Sequence, residues 1–485
     1  MRPARVLPRL AGPAALGALL ALTLAAGGGG APCLRLSRPE TVVQGDVRVC
    51  PGRYRVADRT ERGVIVVASS GTRLDLRGVT IESGDTVPSR FVGVGIVSRG
   101  VDRVTILGGV IRGYRHGVRL EGGRGHRLMD LDASGSRSQA LRSTGDRFDP
   151  ADWLDPARPE GFDELGAGVY LKWTDGASVT GVTARDAQNG IALFGSRDAY
   201  LADNDVSANS GWGIHLWASS RNILARNRAH HVFRCESAAY SRGCGAAAIL
   251  LRERSDSNLV VDNDLTYSAD GLHLAGERSR LAPSVGNLIL RNDASFAYHN
   301  AFVVVDGAWN VLEENRADSS RVGFWLVQAR QTTLRRNRII GASLAGIAAR
   351  DGVDHTLSGN TIIGGRIGIH LVGAPGEGGG VRGASIDDNG IAKVEQGVVL
   401  ERTIQARVRG NVFDEVGDAL VVDQAGHATL VVGNVFLRAA RWFIKAPDLA
   451  AGGNFWAVAD VNAAMQKVDG RVSVLPWRPA SAAGY

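Results

Sequence analysis

The sequence has few aromatic residues, few lysines, few cysteines and no helix-forming stretches between its turns. Aromatic residues make up 6% of the 485 residues. No basic cluster is interleaved with aromatics, although the formal net charge is +7, which argues against a nucleic-acid partner. The four cysteines lack CxxC spacing, which argues against a zinc site of that kind. The apolar runs are too short for helices, so helical repeats are excluded.

One short phrase recurs along the chain, and its spacing predicts a solenoid. The phrase is Gly-Ile-x-Leu, followed by a polar turn and by an apolar run that ends in Asn. Without an insertion, the step from one copy to the next is 22 or 23 residues, as from Gly168 to Gly190 and from Gly190 to Gly213. A fixed period in the low twenties indicates stacked repeats. The copies begin at Gly168, Gly190, Gly213, Gly271, Gly323, Gly346, Gly368 and Gly397.

The kind of solenoid follows from what lies within each repeat. Short runs rich in Val, Ile and Leu are separated by Gly, Asn, Asp and Ser, as expected for strands and turns. The chain lacks the Leu-x-x-Leu-x-Leu pattern of leucine-rich repeats and the helix-forming segment that follows it in each of those repeats. The sequence therefore predicts an all-β, single-stranded parallel β-helix with coils of about 22 residues. One Asn per coil is expected to stack on its copies and to be structural. These are Asn204, Asn227, Asn263, Asn292, Asn315, Asn337, Asn360, Asn389, Asn411 and Asn434.

The chain is predicted to be exported and to form one elongated unit. Residues 1–32 have the basic start and the short apolar run of a signal peptide, which places the protein in the periplasm or outside the cell. A lipoprotein anchored at Cys33 is left open as an alternative to a cleaved soluble form. In an exported chain, the cysteine spacing predicts the disulfides Cys33–Cys50 and Cys235–Cys244.

The predicted domain plan has three parts after the signal peptide. They are an N-terminal cap over residues 33–62, the β-helix over 63–440, and a C-terminal cap over 441–485 with one short helix near 460–468. The mature protein is expected to be a monomer without a membrane association.

The sequence of the coils also resembles that of a known family. LDLRGVTI and VGIVSRGVDRVTILGGVIRGYRHGVRL, followed by the GIxL and LxxN repeats over about residues 60–440, resemble the right-handed parallel β-helix proteins of the pectin-lyase-like superfamily. Within it, the chain is similar to the NosD-like group with PbH1 repeats. This resemblance implies the fold, whereas the superfamily includes lyases, hydrolases, uronan epimerases and scaffolds. Copper handling has little support, since there are three Met and one adjacent pair, His230 and His231.

The outward residues of the GIxL strands predict a site for an extended ligand. Adjacent coils are about 4.8 Å apart, so a stripe of outward side chains can meet successive units of one polymer. Insertions near 143–165, 230–245 and 275–287 tend to gather at a functional face. The candidates for catalysis are Lys172, His215, Arg252, Glu253, Asp270 and His273. The candidates for substrate binding are Tyr170, Trp217, His299, Asn300, Asp306, Trp325 and Gln328.

The predicted function is to bind an extended, acidic polysaccharide and to cleave or modify it. β-Elimination from a uronan would use a base, an acid and a cation. Hydrolysis would need two carboxylates, drawn from Glu253, Asp270, Asp306 and the loop residues Asp152 and Asp155. No metal ligand set is predicted, and Ca²⁺ is left open as a cofactor. The alternatives are a uronan epimerase, a non-catalytic NosD-like scaffold in the periplasm, or an adhesion solenoid.

Overall fold

The structure is a computed structural model that describes residues 33–144, 146–147, 149–152, 159–235, 245–276, 282–374, 380–423 and 429–483. Within these residues, each named strand pairs in parallel with the equivalent strand one coil away. This stacking makes a parallel β-helix, so the predicted fold class is confirmed. The predicted signal peptide lies outside the described residues.

The larger sheet, which we call the front sheet, contains the GIxL strands and their equivalents. Its members pair register to register, so that Tyr170, Ala192 and His215 stand one above the other. Its strands along the coils are Thr41–Val43, Ile65–Val67, Val94–Arg99, His116–Glu121, Ala167–Lys172, Asn189–Phe194, Trp212–Trp217, Ala247–Arg252, Asp270–Ala275, Asn300–Val305, Val322–Val327, Arg338–Arg350, Thr361–Val372, Gly390–Glu401, Asp418–Val422, Ile444–Ala450 and Val468–Ser473.

A second sheet of 15 strands, the back sheet, closes the opposite side of the coils. Each of its strands has three residues, and from Arg73–Asp75 onward the central one is buried, as in Ser178–Thr180. The strands are Asp46–Arg48, Arg73–Asp75, Thr105–Leu107, Arg127–Met129, Ser178–Thr180, Tyr200–Ala202, Ile223–Ala225, Leu259–Val261, Leu288–Leu290, Val311–Glu313, Thr333–Arg335, Thr356–Ser358, Ser385–Asp387, Arg407–Arg409 and Leu430–Val432.

Shorter elements complete the coils. Four further strands of the front sheet continue the row begun by the first residues of its long strands, namely Val412–Asp414, Val435–Phe436, Phe455–Trp456 and Arg478–Pro479. Smaller sheets are made by Gly52–Arg55, Val79–Glu82 and Val110–Arg112, and by Val381–Arg382 with Thr403–Ile404. The helices are short: α-helices Pro159–Phe162 and Val461–Met465, and 3₁₀ turns Pro88–Arg90, Pro150–Asp152 and Ala480–Ala482.

The glycine of the phrase is dictated by packing inside the coil. A Cβ atom on Gly190 would lie 2.6 Å from the carbonyl oxygen of Gly213 and 2.7 Å from the Cβ atom of Val206. No side chain fits at these distances. The Ile and Leu that follow point inward, where Ile191 and Leu193 are fully buried in one continuous apolar core.

The asparagine ladder is confirmed as structural. The Oδ1 atom of Asn227 accepts hydrogen bonds from both the backbone N–H and the side-chain amide of Asn204, at 3.2 and 2.8 Å. Asn263 does the same for Asn227. Each side-chain amide thus satisfies buried backbone groups of the preceding coil. The sequence analysis missed a second ladder, which consists of Asn222, Asn258, Asn287 and Asn310.

At the N-terminal end, coil pairing begins within the segment for which the sequence predicts a cap. Thr41–Val43 pairs with Ile65–Val67, and the Cys33–Cys50 disulfide is present. That disulfide fits an exported protein, because disulfides persist in oxidising compartments.

At the C-terminal end, the predicted short helix is Val461–Met465. It begins after Asp460, whose carboxylate accepts a hydrogen bond from the N–H of Ala463 at 2.8 Å. None of the helices in the described part of the chain has the length and apolar character needed to cross a bilayer.

Candidate functional site

The described end of the first insertion, residues 161–166, packs on the outward face of the front sheet at the strands from Ala167–Lys172 to Trp212–Trp217. Phe162 at the end of the short helix is 1% exposed. Its ring centroid lies 4.6 Å from that of His215, 5.6 Å from Tyr170 and 6.1 Å from Trp217. The outward face of these coils is therefore a second apolar core. We call the front strands from Ala167–Lys172 to Trp212–Trp217 the covered half.

An aspartate next to Phe162 fastens this cover to the sheet. The carboxylate of Asp163 accepts a hydrogen bond from the Tyr170 hydroxyl and another from the Lys172 ammonium, both at 2.5 Å. Arg119 lies 3.6 Å away. Burial alone raises the pKa of the Asp163 carboxyl, but these hydrogen bonds and charges outweigh it and hold the pKa below its usual value. Lys172 is thus engaged in a structural ion pair.

The prediction of one exposed stripe is wrong for the covered half. Tyr170, His215 and Trp217 are at most 3% exposed, because Phe162 packs on them. Burial, aided by the positive charge of Arg252, holds the pKa of His215 well below its usual value. These side chains do not line an open groove. The repeat pattern could not reveal the cover, since the cover is an insertion outside the repeat.

A buried ion pair joins the first insertion to the second. Asp152 is fully buried and accepts hydrogen bonds from the N–H groups of Arg142 and Ser143, at 2.8 and 2.6 Å. The guanidinium of Arg234 lies 3.5 Å from the same carboxylate. This places Asp152 in the packing between the insertions and not at a reacting centre.

Of three further residues named by the sequence predictions for these insertions, one is described by the structure and two are not. Cys235 is disulfide-bonded. Its predicted partner Cys244 lies outside the described residues, as does Asp155.

Arg252 ends the last strand before the open part of the sheet, and Glu253 follows it directly. Arg252 is 6% exposed, and its guanidinium lies 5.7 Å from the ring centroid of Trp217. The carboxylate of Glu253 accepts a hydrogen bond from the N–H of Ala282 at 2.9 Å, which ties down the third insertion. Both predicted catalytic groups are therefore engaged within the protein.

The remaining candidates meet in one group, which we call the Asp270 cluster. It consists of Asp270, His273, His299 and Asn300. The Asp270 carboxylate accepts hydrogen bonds from the backbone N–H of Asn300 at 3.0 Å and from its side-chain amide at 3.2 Å. The Nδ1 atom of His299 lies 3.1 Å from this carboxylate, and the Nδ1 atom of His273 lies 3.6 Å from it.

Both imidazoles of the cluster reach the surface. The side chain of His273 is 28% exposed and that of His299 is 22% exposed, whereas the Asp270 side chain is 12% exposed. Burial, together with the positive charge of Arg252, lowers the pKa of His273 against the opposing effect of Asp270. The lowered pKa favours the neutral form of His273, which can accept a proton. An aspartate behind a neutral histidine is an arrangement suited to general base catalysis.

Beyond the Asp270 cluster, the outward face of the front sheet is partly exposed toward the C-terminal end. We call the front strands from Asp270–Ala275 to Thr361–Val372 the open half. Its outward row reads His273, Val303, Trp325, Ala348 and His370. Of these side chains, His273, Trp325 and His370 are partly exposed, whereas Val303 and Ala348 are 3% and 2% exposed. Trp325 is partly buried against an apolar group at the base of this row.

A cleft of about 590 Å³ lies beyond the end of these strands. It contains the predicted binding residues Asp306 and Gln328 and also Trp309, which is 61% exposed. The structure thus places Asp306 and Gln328 in one cleft, separate from the Asp270 cluster.

The sequence analysis missed a row of aromatic side chains beside the cluster. His231, Tyr267 and Phe296 each follow a ladder asparagine by four residues, in three successive coils. This common offset is the signal that could have found them.

Family comparisons agree with the fold. The family model described as "Right handed beta helix region" matches residues 167–339, and the one described as "Periplasmic copper-binding protein (NosD)" matches residues 281–460. These matches confirm the resemblance to right-handed, NosD-like β-helix proteins. No curated protein matches the chain.

Solved structures share the architecture at low sequence identity. The Dettilon tailspike protein gp208 is 15% identical, with a TM-score of 0.41 over 74% of this chain and 62% of that one. The mannuronan C-5 epimerase AlgE6 A-module of Azotobacter vinelandii is 12% identical, with a TM-score of 0.46 over 81% and 91%. PfbA, a surface adhesin of Streptococcus pneumoniae, is 10% identical, with a TM-score of 0.40 over 80% and 84%. The likeness concerns the fold alone.

The copper in the second family description finds no counterpart in the described part of the chain. There, no group of three or more His, Cys, Asp or Glu side chains is placed to hold a metal ion. In the Asp270 cluster, both Nδ1 atoms face the carboxylate of Asp270.

Proposed function

We propose that this protein binds an extended, acidic polysaccharide along the open half of the front sheet and removes a proton from one of its uronate units. The observation that carries the proposal is the Asp270 cluster. Two partly exposed imidazoles share one nearly buried carboxylate there, at the start of the open half.

Proton abstraction suits this cluster better than hydrolysis does. A glycoside hydrolase needs two carboxylates on either side of the scissile bond. Among the described residues, the charged groups that shift the pKa of His273 are one carboxylate, Asp270, together with Arg252 and His299. In a uronate, the C5 hydrogen is acidic because it lies next to the carboxylate. The neutral imidazole of His273 can take this proton, and His299 beside it can donate one to the leaving oxygen when the C4–O bond breaks.

The reaction then proceeds in one of two ways. If the C5–H bond breaks and the C4–O bond breaks with it, the products are an unsaturated uronate and a new chain end. If a proton returns to C5 from the other face, the product is the C5 epimer. Both outcomes share the first step, which is the one that the cluster supports.

The open half offers a path for the rest of the polymer. Its coils are about 4.8 Å apart, which is close to the length of one sugar ring. Trp325 and His370 lie farther along the same outward row as His273. Exposed Trp309 with Gln328 and Asp306 forms a second place of contact beyond the strand ends. Aromatic rings beside amide and charged groups are the usual lining of a sugar site.

The test is to incubate the purified mature protein in D₂O with alginate, pectate, glycosaminoglycans and neutral glycans, with and without Ca²⁺. Unsaturated uronates, new reducing ends and deuterium at C5 are followed in parallel. Unsaturation with new ends, or deuterium at C5 without new ends, supports the proposal. New ends without unsaturation would mean hydrolysis and would contradict it. Binding with none of the three would mean a non-catalytic binder, and the absence of binding to every glycan would overturn the carbohydrate proposal.

A further inference from the structure

The aromatic row beside the Asp270 cluster is not required by the fold. The rings of His231 and Tyr267 are stacked at 5.2 Å, and those of Tyr267 and Phe296 at 4.7 Å. All three residues have φ between +55° and +61°, a conformation that bulky side chains rarely adopt. At the same turn, the coil before has Ala208 and the coil after has Ser319, with the same backbone. The turn therefore tolerates small residues, and the rings need another explanation.

These rings face water and line a cleft. Tyr267 is 43% exposed and Phe296 is 40% exposed. Tyr298 is 59% exposed and packs edge-on against Phe233, with the ring centroids 5.7 Å apart. Tyr267, Phe296 and Tyr298 form a cleft with the next coil, and its volume is about 450 Å³. Its other side consists of Ser319, Ser320, Arg321 and Ser343.

The cleft holds one arginine without a partner. Among the described residues, the guanidinium of half-buried Arg321 makes neither an ion pair nor a hydrogen bond. Its neighbours Arg316 and Arg338 both pair with Asp318, at 2.6 and 3.1 Å. A guanidinium is normally paired when it is partly withdrawn from water, since its five donors then need acceptors. Arg321 is thus available to an anion that enters the cleft.

The cleft adjoins the Asp270 cluster. Tyr298 directly precedes His299 in the chain, and the N–H of Val322, next to Arg321, donates to the carbonyl of His299 at 3.1 Å. Arg321 therefore lies one coil beyond His299, about 4.8 Å along the helix axis. That distance corresponds to about one sugar unit.

We infer that this cleft is the subsite for an anionic sugar unit next to the reacting one. The aromatic faces stack on the C–H face of the ring, and the guanidinium of Arg321 pairs with its carboxylate. Such a charge-assisted pair is bidentate and directional, so the subsite selects acidic over neutral polymers and fixes their position at the cluster. The inference rests on the proposed function, because it takes the same polymer as ligand.

The test measures equilibrium binding, which does not depend on turnover. Acidic oligosaccharides from the polymer that binds best are titrated by calorimetry against the wild type, Arg321→Gln, Tyr298→Ala and Trp309→Ala. Arg407→Gln is the matched control, because it removes an exposed arginine from the back sheet. We expect Arg321→Gln to weaken binding about ten-fold or more, and the loss to shrink at high salt. Arg407→Gln should bind as the wild type does.

Two outcomes separate this inference from the proposed function. If Arg321→Gln and Tyr298→Ala bind normally while Trp309→Ala binds weakly, the polymer runs elsewhere on the open half. The inference then fails and the proposed function stands. If the wild type binds no acidic oligosaccharide, both fail. Melting temperatures of all variants exclude misfolding as the cause of any loss.

Discussion

The covered and open halves of the front sheet carry polar groups at the same two positions of the coil, but under different surroundings. In the covered half, the Nδ1 atom of His215 lies 3.2 Å from the amide oxygen of Asn189. In the open half, Asp270 occupies the row of Asn189, and His273 occupies the row of His215. His215 is fully buried, whereas the side chain of His273 is 28% exposed.

The repeat determines where polar side chains lie on the front sheet, and the insertions determine which of them are buried. In the covered half, Asn189 and His215 occupy these two positions on adjacent strands, whereas in the open half Asp270 and His273 occupy them within one strand. Phe162 converts one such pair into core, and nothing in the described residues covers the other pair in the same way. The buried histidine has an amide as its partner. The partly exposed histidine, which can reach a ligand, has a carboxylate.

The largest expected effect is on turnover at the Asp270 cluster. Asp270→Asn and His273→Gln should each lower the rate of C5 proton exchange by about 10²–10⁴-fold, because the base or its supporting charge is lost. The measurement is deuterium incorporation or unsaturated product with the best substrate of the glycan panel.

The matched variant is His215→Gln, in the same row of the covered half. Its turnover should stay within a few-fold of the wild type. Equal losses for His215→Gln and His273→Gln at equal folded fractions would show that the two halves do not differ in the way we describe.

The next prediction concerns stability, and here the larger effect is expected in the covered half. Phe162→Ala should weaken the docking of the cover by about 3–5 kcal/mol, because a fully buried ring leaves a cavity. Phe296→Ala in the open half should cost about 1 kcal/mol or less, since that ring is 40% exposed and loses mainly one stacked partner.

Hydrogen exchange over residues 161–166, together with denaturant titration, would measure this difference. Exchange in this segment should become much faster in Phe162→Ala and stay unchanged in Phe296→Ala. Unchanged protection in both variants would contradict the role of Phe162 as the anchor of the cover.

The fold and part of the site were predictable from the sequence, for a physical reason. A fixed period determines which residues stack, so the places of Asp270 and Asn300 at the start of adjacent front strands follow from the phrase itself. The two residues are 30 positions apart, yet their side chains are in contact. The asparagine ladder follows in the same way, because one Asn per coil must meet its copy.

The rest was not predictable because it depends on residues outside the repeat. Phe162 and Asp163 of the first insertion pack on the sheet through contacts that no periodicity encodes. The exposed rings at Tyr267 and Phe296 occupy a turn that also accepts Ala208 and Ser319, so the fold gave no reason to expect them.

The smallest expected effect concerns Arg252, which lies between the two halves. Its guanidinium is above Trp217 on the covered side, and its charge helps to lower the pKa of His273 on the open side. A base must be unprotonated, so the rate should rise with pH through the pKa of His273. Arg252→Gln removes the positive charge and should raise that pKa, which moves the acidic limb of the pH–rate profile to higher pH. Arg252→Lys keeps the charge and should leave the limb in place. A limb that stays fixed in Arg252→Gln, or that moves to lower pH, would mean that a group other than His273 is the base.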